Sequence, residues 1–294
     1  MDEGAPLLRA YRLKRLIEGS NPSLSAILLA LLACVSFPAH AQTYSPLAEW
    51  QFSAGHVLEP YFIDKPPAHE RMLGLPVQVL PRYEGAEHSH FGTGLVAEIR
   101  WRNGAFASTS EGLGMNLLQG KGYRAGVAAT YDLGRKEHTD PALTGLGDLS
   151  AAPEAKFFCD YVVIFPLVLR VDARRTFGGH GGWTSDFSAY MPVIGNSTIF
   201  VMLGPSVTWI DSENMRRTFG ITPAQSSASG YPVYSPRGGL SAMKLGFNAT
   251  WFFRETWFVD VSGAREWLRG DAADSPITRA KLQDILTATI GHDW

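Results

Sequence analysis

Along residues 198–210 apolar and polar positions alternate strictly. Ile199, Val201, Leu203, Pro205, Val207 and Trp209 share one face, and Ser206 and Thr208 lie on the other. Residues 243–253 repeat the pattern, with Met243, Leu245, Phe247, Ala249, Trp251 and Phe253 opposing Lys244, Gly246, Asn248 and Thr250. Residues 123–133, 163–171 and 257–266 do the same, and each keeps charged or hydroxyl side chains on the polar face. A period of two is the signature of a strand whose faces meet different surroundings. Weaker alternation marks 50–58, 72–83, 92–102, 105–118, 154–160 and 183–191, and the chain closes on a last strand, 284–294. The pattern predicts about twelve strands, with ten as the alternative count because the pair around Asn103 alternates least well.

The last strand places Leu286, Ala288, Ile290, His292 and Trp294 on one face and ends on an aromatic ring. Strands of outer-membrane barrels alternate lipid-facing and lumen-facing residues in this way and carry aromatic rings at the interfaces. The terminal aromatic resembles the assembly signal of such barrels, so the barrel assembly machinery is an expected partner, together with outer-membrane lipid and lipopolysaccharide. Connection lengths support the same architecture, an all-β, antiparallel, up-and-down transmembrane barrel with short periplasmic turns and long outward loops. In a frame that counts 50–58 as the first strand, the long connections 59–71, 134–149, 173–182, 211–239 and 269–281 all fall on one side. Asn103-Gly104 breaks the rule.

The other end of the chain is an export signal. Arg9, Arg12, Lys14 and Arg15 precede an apolar stretch over 24–37, and Ala39-His40-Ala41 offers small residues for cleavage before Gln42. The expected domains are therefore a signal peptide, 1–41, and a barrel, 42–294. Cleavage removes those four basic residues and the acidic Asp2, Glu3 and Glu18, taking the net charge from −2 to −3. No basic excess remains to bind nucleic acid. Charged residues make up 18% of the chain and aromatic ones 12%, a balance that suits a barrel wall in lipid. Cys159 alone survives cleavage, so no internal disulfide is expected.

The nominal inner wall carries Glu98, Arg100, Arg102, Arg124, Asp132, Lys156, Arg170, Asp172, Lys244, Asp260 and Glu266 beside Phe200, Met202 and Phe252. Charges of both signs at close quarters pair with one another, which predicts a narrow or closed lumen. Candidates for chemistry are sparse. Gly178-Gly179-His180-Gly181-Gly182 with Ser185 and Asp186 holds the residue types of a nucleophile system, but glycines around His180 read better as a turn. His88-Ser89-His90 with Glu87 lacks a third ligand at metal spacing and reads as a solvated turn, and Asp271 and Asp274 are too few for calcium. The reading is a non-enzymatic protein with no metal and no cofactor. In the long connection at 211–239, Gly220 and Pro223 shape the backbone, and Phe219 and Ile221 can fold it over the barrel mouth.

Several segments together resemble the MipA/OmpV family. They are Trp50-Gln51-Phe52-Ser53-Ala54-Gly55, Gly145-Leu146-Gly147-Asp148, Gly181-Gly182-Trp183-Thr184, and Phe219-Gly220-Ile221-Thr222-Pro223-Ala224-Gln225-Ser226 with Ser229-Gly230-Tyr231-Pro232-Val233-Tyr234. Gly270-Asp271-Ala272-Ala273-Asp274-Ser275-Pro276-Ile277 completes the match. The resemblance implies a barrel in the outer membrane of a Gram-negative bacterium. By the same resemblance it is a scaffold of the murein machinery, joining a lytic transglycosylase to a bifunctional penicillin-binding protein. A narrow channel or a surface adhesion protein is the alternative. The outward loop motif carried by this resemblance comprises Phe219, Gly220, Pro223, Gln225, Asp271 and Asp274.

Overall fold

The computed structural model describes residues 68–294 apart from 165, 166, 179, 180, 197 and 255. The cleavage site at Ala39, Ala41 and Gln42, the expected strand at 50–58 and His180 lie outside the described residues.

Strand β1 (His69–Pro81) pairs with β2 (Ser89–Thr93) and then, in continuous register, with β3 (Val96–Trp101), so β2 and β3 share one place in the wall. The sheet continues through β4 (Ala105–Ser108), β5 (Gly112–Gly120), β6 (Tyr123–Asp132), β7 (Ala152–Ile164), β8 (Leu167–Thr176) and β9 (Gly182–Gly195). It is completed by β10 (Ile199–Ile210), β11 (Gly239–Phe252), β12 (Trp257–Leu268) and β13 (Leu282–Asp293). Each strand is antiparallel to the next, and β13 returns to β1 with Met72 opposite Asp293 and Val79 opposite Leu286. The result is a closed twelve-stranded barrel. Closure leaves the C-terminal strand paired on both sides, and Trp294 and Arg71 exchange backbone hydrogen bonds at 3.0 and 3.2 Å.

Twelve is reached differently from the sequence count. The expected strand at 105–118 is a hairpin, β4 and β5, folded at Thr109, Ser110 and Glu111. Gly112 closes that turn at φ +90°, where a Cβ would meet the carbonyl oxygen of Ala129 at 2.2 Å. With the hidden turn included, the described strands fill the barrel without 50–58. Connections 82–88, 109–111, 133–151, 177–181, 211–238 and 269–281 then share one end. The opposite end has 102–104, 121–122, 165–166, 196–198, 253–256 and the C-terminus. Asn103-Gly104 is thus an ordinary short turn at the short-turn end. The connection after β1, read from sequence as periplasmic, belongs with the long loops.

The hairpin is also short. Ser108 at its top is level with Glu98, which pairs with Met72 near the start of β1, whereas β1 runs on to Pro81. Among the described residues, β2 has β1 as its only strand partner.

The outer wall is apolar. Leu203, Leu245, Phe247, Leu286 and Ile290 are exposed, while their neighbours Met202, Lys244, Asn248, Thr287 and Thr289 are buried inside. Trp101, Tyr123, Tyr161, Trp251 and Trp257 ring the short-turn end and Tyr131, Trp183 and Trp209 the long-loop end, the two interfacial girdles of a membrane barrel.

Candidate functional site

Three layers of side chains follow one another along the barrel, two carried inward by strand alternation and one by the long connections. At the short-turn end Met72, Val96 and Phe258 pack with Phe252, and Val168, Tyr190, Phe200 and Met202 form a second apolar group. These side chains floor the lumen.

Above the floor runs a belt of ion pairs from β3 to β10. Arg100 donates from Nε to Glu98 and from Nη2 to Glu111. Arg124 donates from Nη2 to Glu111 Oε1 and from Nε to Asp160 Oδ2, both at 2.6 Å. Arg170 Nη1 reaches Glu111 and Asp160 at 3.4 Å. Lys156 stands 3.7 Å from Asp172, and Arg174 joins Asp172 to Asp186, which also accepts from the Thr208 hydroxyl. Phe158 lies beneath the cations, its ring 4.8 Å from the Arg124 guanidinium. On the far wall Lys244 meets Glu266 at 3.3 Å. Inside a low-dielectric wall such pairs hold one another in fixed geometry instead of offering free charge to a passing ion.

The third layer is a cap built by the long connections. Helix α1 (Ser212–Phe219), capped by Asp211, buries Met215 and Phe219 against Ile210, Ala242, Leu268, Ala272 and Ala273. Helix α2 (Pro223–Ser229) starts with a capping box between Thr222 and Gln225, and Pro223 supplies its first turn. Ile221 packs with Tyr83, Ala86, Leu143, Leu146 and Ile277, uniting four connections in one apolar cluster. Polar ties fix it. Gln225 Nε2 donates to the Leu146 carbonyl at 2.6 Å, Ser275 Oγ to that of Phe219 at 2.7 Å, and Tyr83 Oη to that of Ile277 at 2.9 Å. Gly145, at φ +82°, lies so close to α2 that a Cβ would stand 2.6 Å from the Ala228 carbonyl carbon. Asp148 accepts from the Glu137 backbone N–H and then from Lys136, which lowers its pKa.

From the same cap Glu84 turns toward the belt. Burial, then Glu266, push its carboxyl up to about 8 against the opposing pull of Lys244.

The residues singled out in the sequence fall into three groups. Phe219, Gly220, Pro223, Gln225 and Asp271 are parts of the cap; Asp271 accepts from the Arg237 backbone N–H at 2.7 Å and lies on the short helix α3 (Gly270–Ala273). Asp274 instead pairs at the surface with Lys281 at 3.0 Å. Ser185 and Asp186 point to opposite faces of β9, so they cannot work on one substrate atom. Ser89 and His90 belong to β2 rather than to a turn, while Glu87 and His88 line a cavity of about 360 Å³ with Arg82, Asp140 and Arg279. Among the described residues no three His, Cys, Asp or Glu converge on a metal position. One inner-wall expectation changes, because Arg102 is exposed in the turn after β3; Asp132, at the top of β6, pairs with Arg217 of the cap at 2.8 Å. Glu111, which holds three arginines, was not legible as a centre because the turn that aims it inward was read as strand. At the chain end, His292 and Trp294 stack at 5.0 Å, and Trp257 meets His292 at the same distance.

The family model described as MltA-interacting protein MipA matches residues 73–294, from within β1 to the end of the barrel. The chain belongs to the MipA family. It is a β-barrel of the Gram-negative outer membrane. No match is found among curated proteins. Solved structures resemble this chain only loosely. A structure titled bacterial polysaccharide outer membrane secretin aligns at 11% identity over 76% of this chain and 97% of its own, with a TM-score of 0.39. The outer membrane channel DcaP of Acinetobacter baumannii aligns at 8% identity over 78% and 99%, with a TM-score of 0.37.

Proposed function

We propose that this MipA-family barrel is a non-enzymatic scaffold that holds murein hydrolysis and synthesis enzymes at the inner face of the outer membrane. Membership of the family described as MltA-interacting carries the reading. The lumen supports it over an open channel, since an apolar floor, an internally paired belt and a packed cap narrow it. On this reading the short turns face the periplasm, where the exposed Arg102, Lys121 and Arg254 present a basic rim to a partner. Trp294 belongs to the same reading as an assembly signal. Its deletion should leave refolding in detergent intact while reducing the amount in the outer membrane.

Crosslinking in intact cells tests the proposal. Capture of a lytic transglycosylase and a bifunctional penicillin-binding protein, weakened by Arg102→Glu, Lys121→Glu and Arg254→Glu together, is the expected result. Recovery of neighbouring barrels and lipopolysaccharide alone, with stepwise conductance in planar bilayers, would replace the scaffold by a channel.

A further inference from the structure

One inner-wall carboxylate stands apart from the cations that meet those of the belt. Asp260 on β12 stands between Thr250 on β11 and Thr289 on β13, and Ser262 stands between Asn248 and Thr287. Asp260 Oδ2 is held by Asn248 Nδ2 at 2.6 Å and Thr250 Oγ1 at 2.7 Å. Its other oxygen, Oδ1, has no hydrogen-bond partner, although the residue is 1% exposed. Thr289 Oγ1 is equally buried and unpartnered, and Ser262 Oγ lies near the carboxylate without a hydrogen bond of normal geometry. No salt bridge among the described residues reaches Asp260, and Lys244 on the same wall is engaged by Glu266. Glu98, Glu111, Asp160, Asp172 and Asp186, by contrast, each meet a cation.

A buried carboxylate without a positive partner is costly, and the unpartnered Thr289 oxygen on the adjoining inward position makes the cost larger, while the Ser262 hydroxyl keeps lone pairs free to accept. We propose that Asp260, Ser262 and Thr289 form a subsite for a primary ammonium group entering the lumen. Asp260 Oδ1 supplies the charge, and the two hydroxyl oxygens accept the remaining N–H donors, so the three acceptors match the three donors of an R–NH3+ head. Cross-strand and next-but-one positions on one face bring such side chains within reach of a single small head group. A hard metal ion fits less well, because calcium asks for six or more oxygens and magnesium for a near-octahedral shell. A quaternary ammonium has the charge but no N–H to donate.

Calorimetric titration of the full exported chain in detergent, at constant ionic strength, tests the site with n-butylammonium, tetramethylammonium and sodium chlorides. Saturable binding of n-butylammonium alone is expected. Asp260→Asn should weaken it about tenfold or more and Thr289→Val several-fold, in variants that still run as heat-modifiable barrels. No saturable binding, equal binding of tetramethylammonium or sodium, or unchanged affinity in Asp260→Asn would each overturn the assignment.

Discussion

Arg124 and Glu111 meet at 2.6 Å, and neither side chain has any solvent-exposed surface. Glu111 also holds Arg100 and Arg170, so one carboxylate in a turn ties together guanidinium groups from three strands. Glu111→Gln should therefore destabilise the barrel by about 3–5 kcal/mol, the range for breaking a buried pair and stranding its partners. Removing both members of the simpler pair, with Lys244→Met and Glu266→Leu together, should cost less than either single change. Urea unfolding of detergent-refolded protein measures both. A loss in the double variant equal to the sum of the two single losses would show that the pair is not coupled.

The two faces of β10 and β11 differ in what they tolerate. Leu203→Arg or Phe247→Arg places a cation in lipid near the midplane and should cost about 2–4 kcal/mol. Thr208→Arg puts the same side chain beside Asp186 inside the barrel and should cost less. Refolding equilibria in lipid vesicles compare them, and the reverse order would invert the faces.

Much of this was legible in the alternation, because a lipid-facing strand cannot hide which side is apolar. Leu203 is 44% exposed and Met202 is 3% exposed, as the period-two pattern requires. The hairpin at β4 and β5 was not legible. Ala105, Ala107, Gly112 and Gly114 give almost no contrast between faces, and Thr109-Ser110-Glu111 has neither Pro nor Asn to mark a turn. That concealed turn displaced the inside-outside frame of everything before it and kept Glu111 out of the lumen. The cap was readable only as loop chemistry at Phe219, Gly220 and Pro223. Its partners Tyr83, Leu143 and Ile277 lie far away in sequence, and only the closed barrel brings them together.

The corrected frame is testable by surface labelling. In a Cys159→Ser background, cysteines replacing Glu87, Ser227 and Asp274 should all react with a membrane-impermeant maleimide on whole cells, and one replacing Lys121 should not. Glu87 decides the matter, since the count that begins at 50–58 places it in the periplasm. Protection of Glu87→Cys together with labelling of Asp274→Cys would restore the older frame.

Glu84 makes the cap sensitive to pH. Its carboxyl titrates near 8 in the folded barrel, well above the usual carboxylate range it has in the unfolded chain. A raised folded value means stabilisation that is complete in acid and is lost as pH rises toward about 8, where the folded barrel has to carry the charge beside Glu266. Thermal unfolding between pH 5 and 9 should show this decline, and Glu84→Gln should flatten it and raise stability at the alkaline end. An unchanged profile in Glu84→Gln would assign the pH dependence elsewhere.

Among the described residues, the low β4–β5 hairpin leaves a window in the barrel wall. Where neighbouring walls rise to the long-loop end, this arc stops at Ser110, and among the described residues β2 beyond it pairs with a strand on one side only. Hydrocarbon offers nothing to peptide groups, so any of them left facing lipid at that arc would draw water through the wall or thin the leaflet there. Amides between Ser89 and Thr93 should accordingly exchange with deuterium faster than those of β11 at the same depth. Slow exchange there would mean that the window is closed. An open one makes this arc of the barrel the place where lipid, water and lumen meet.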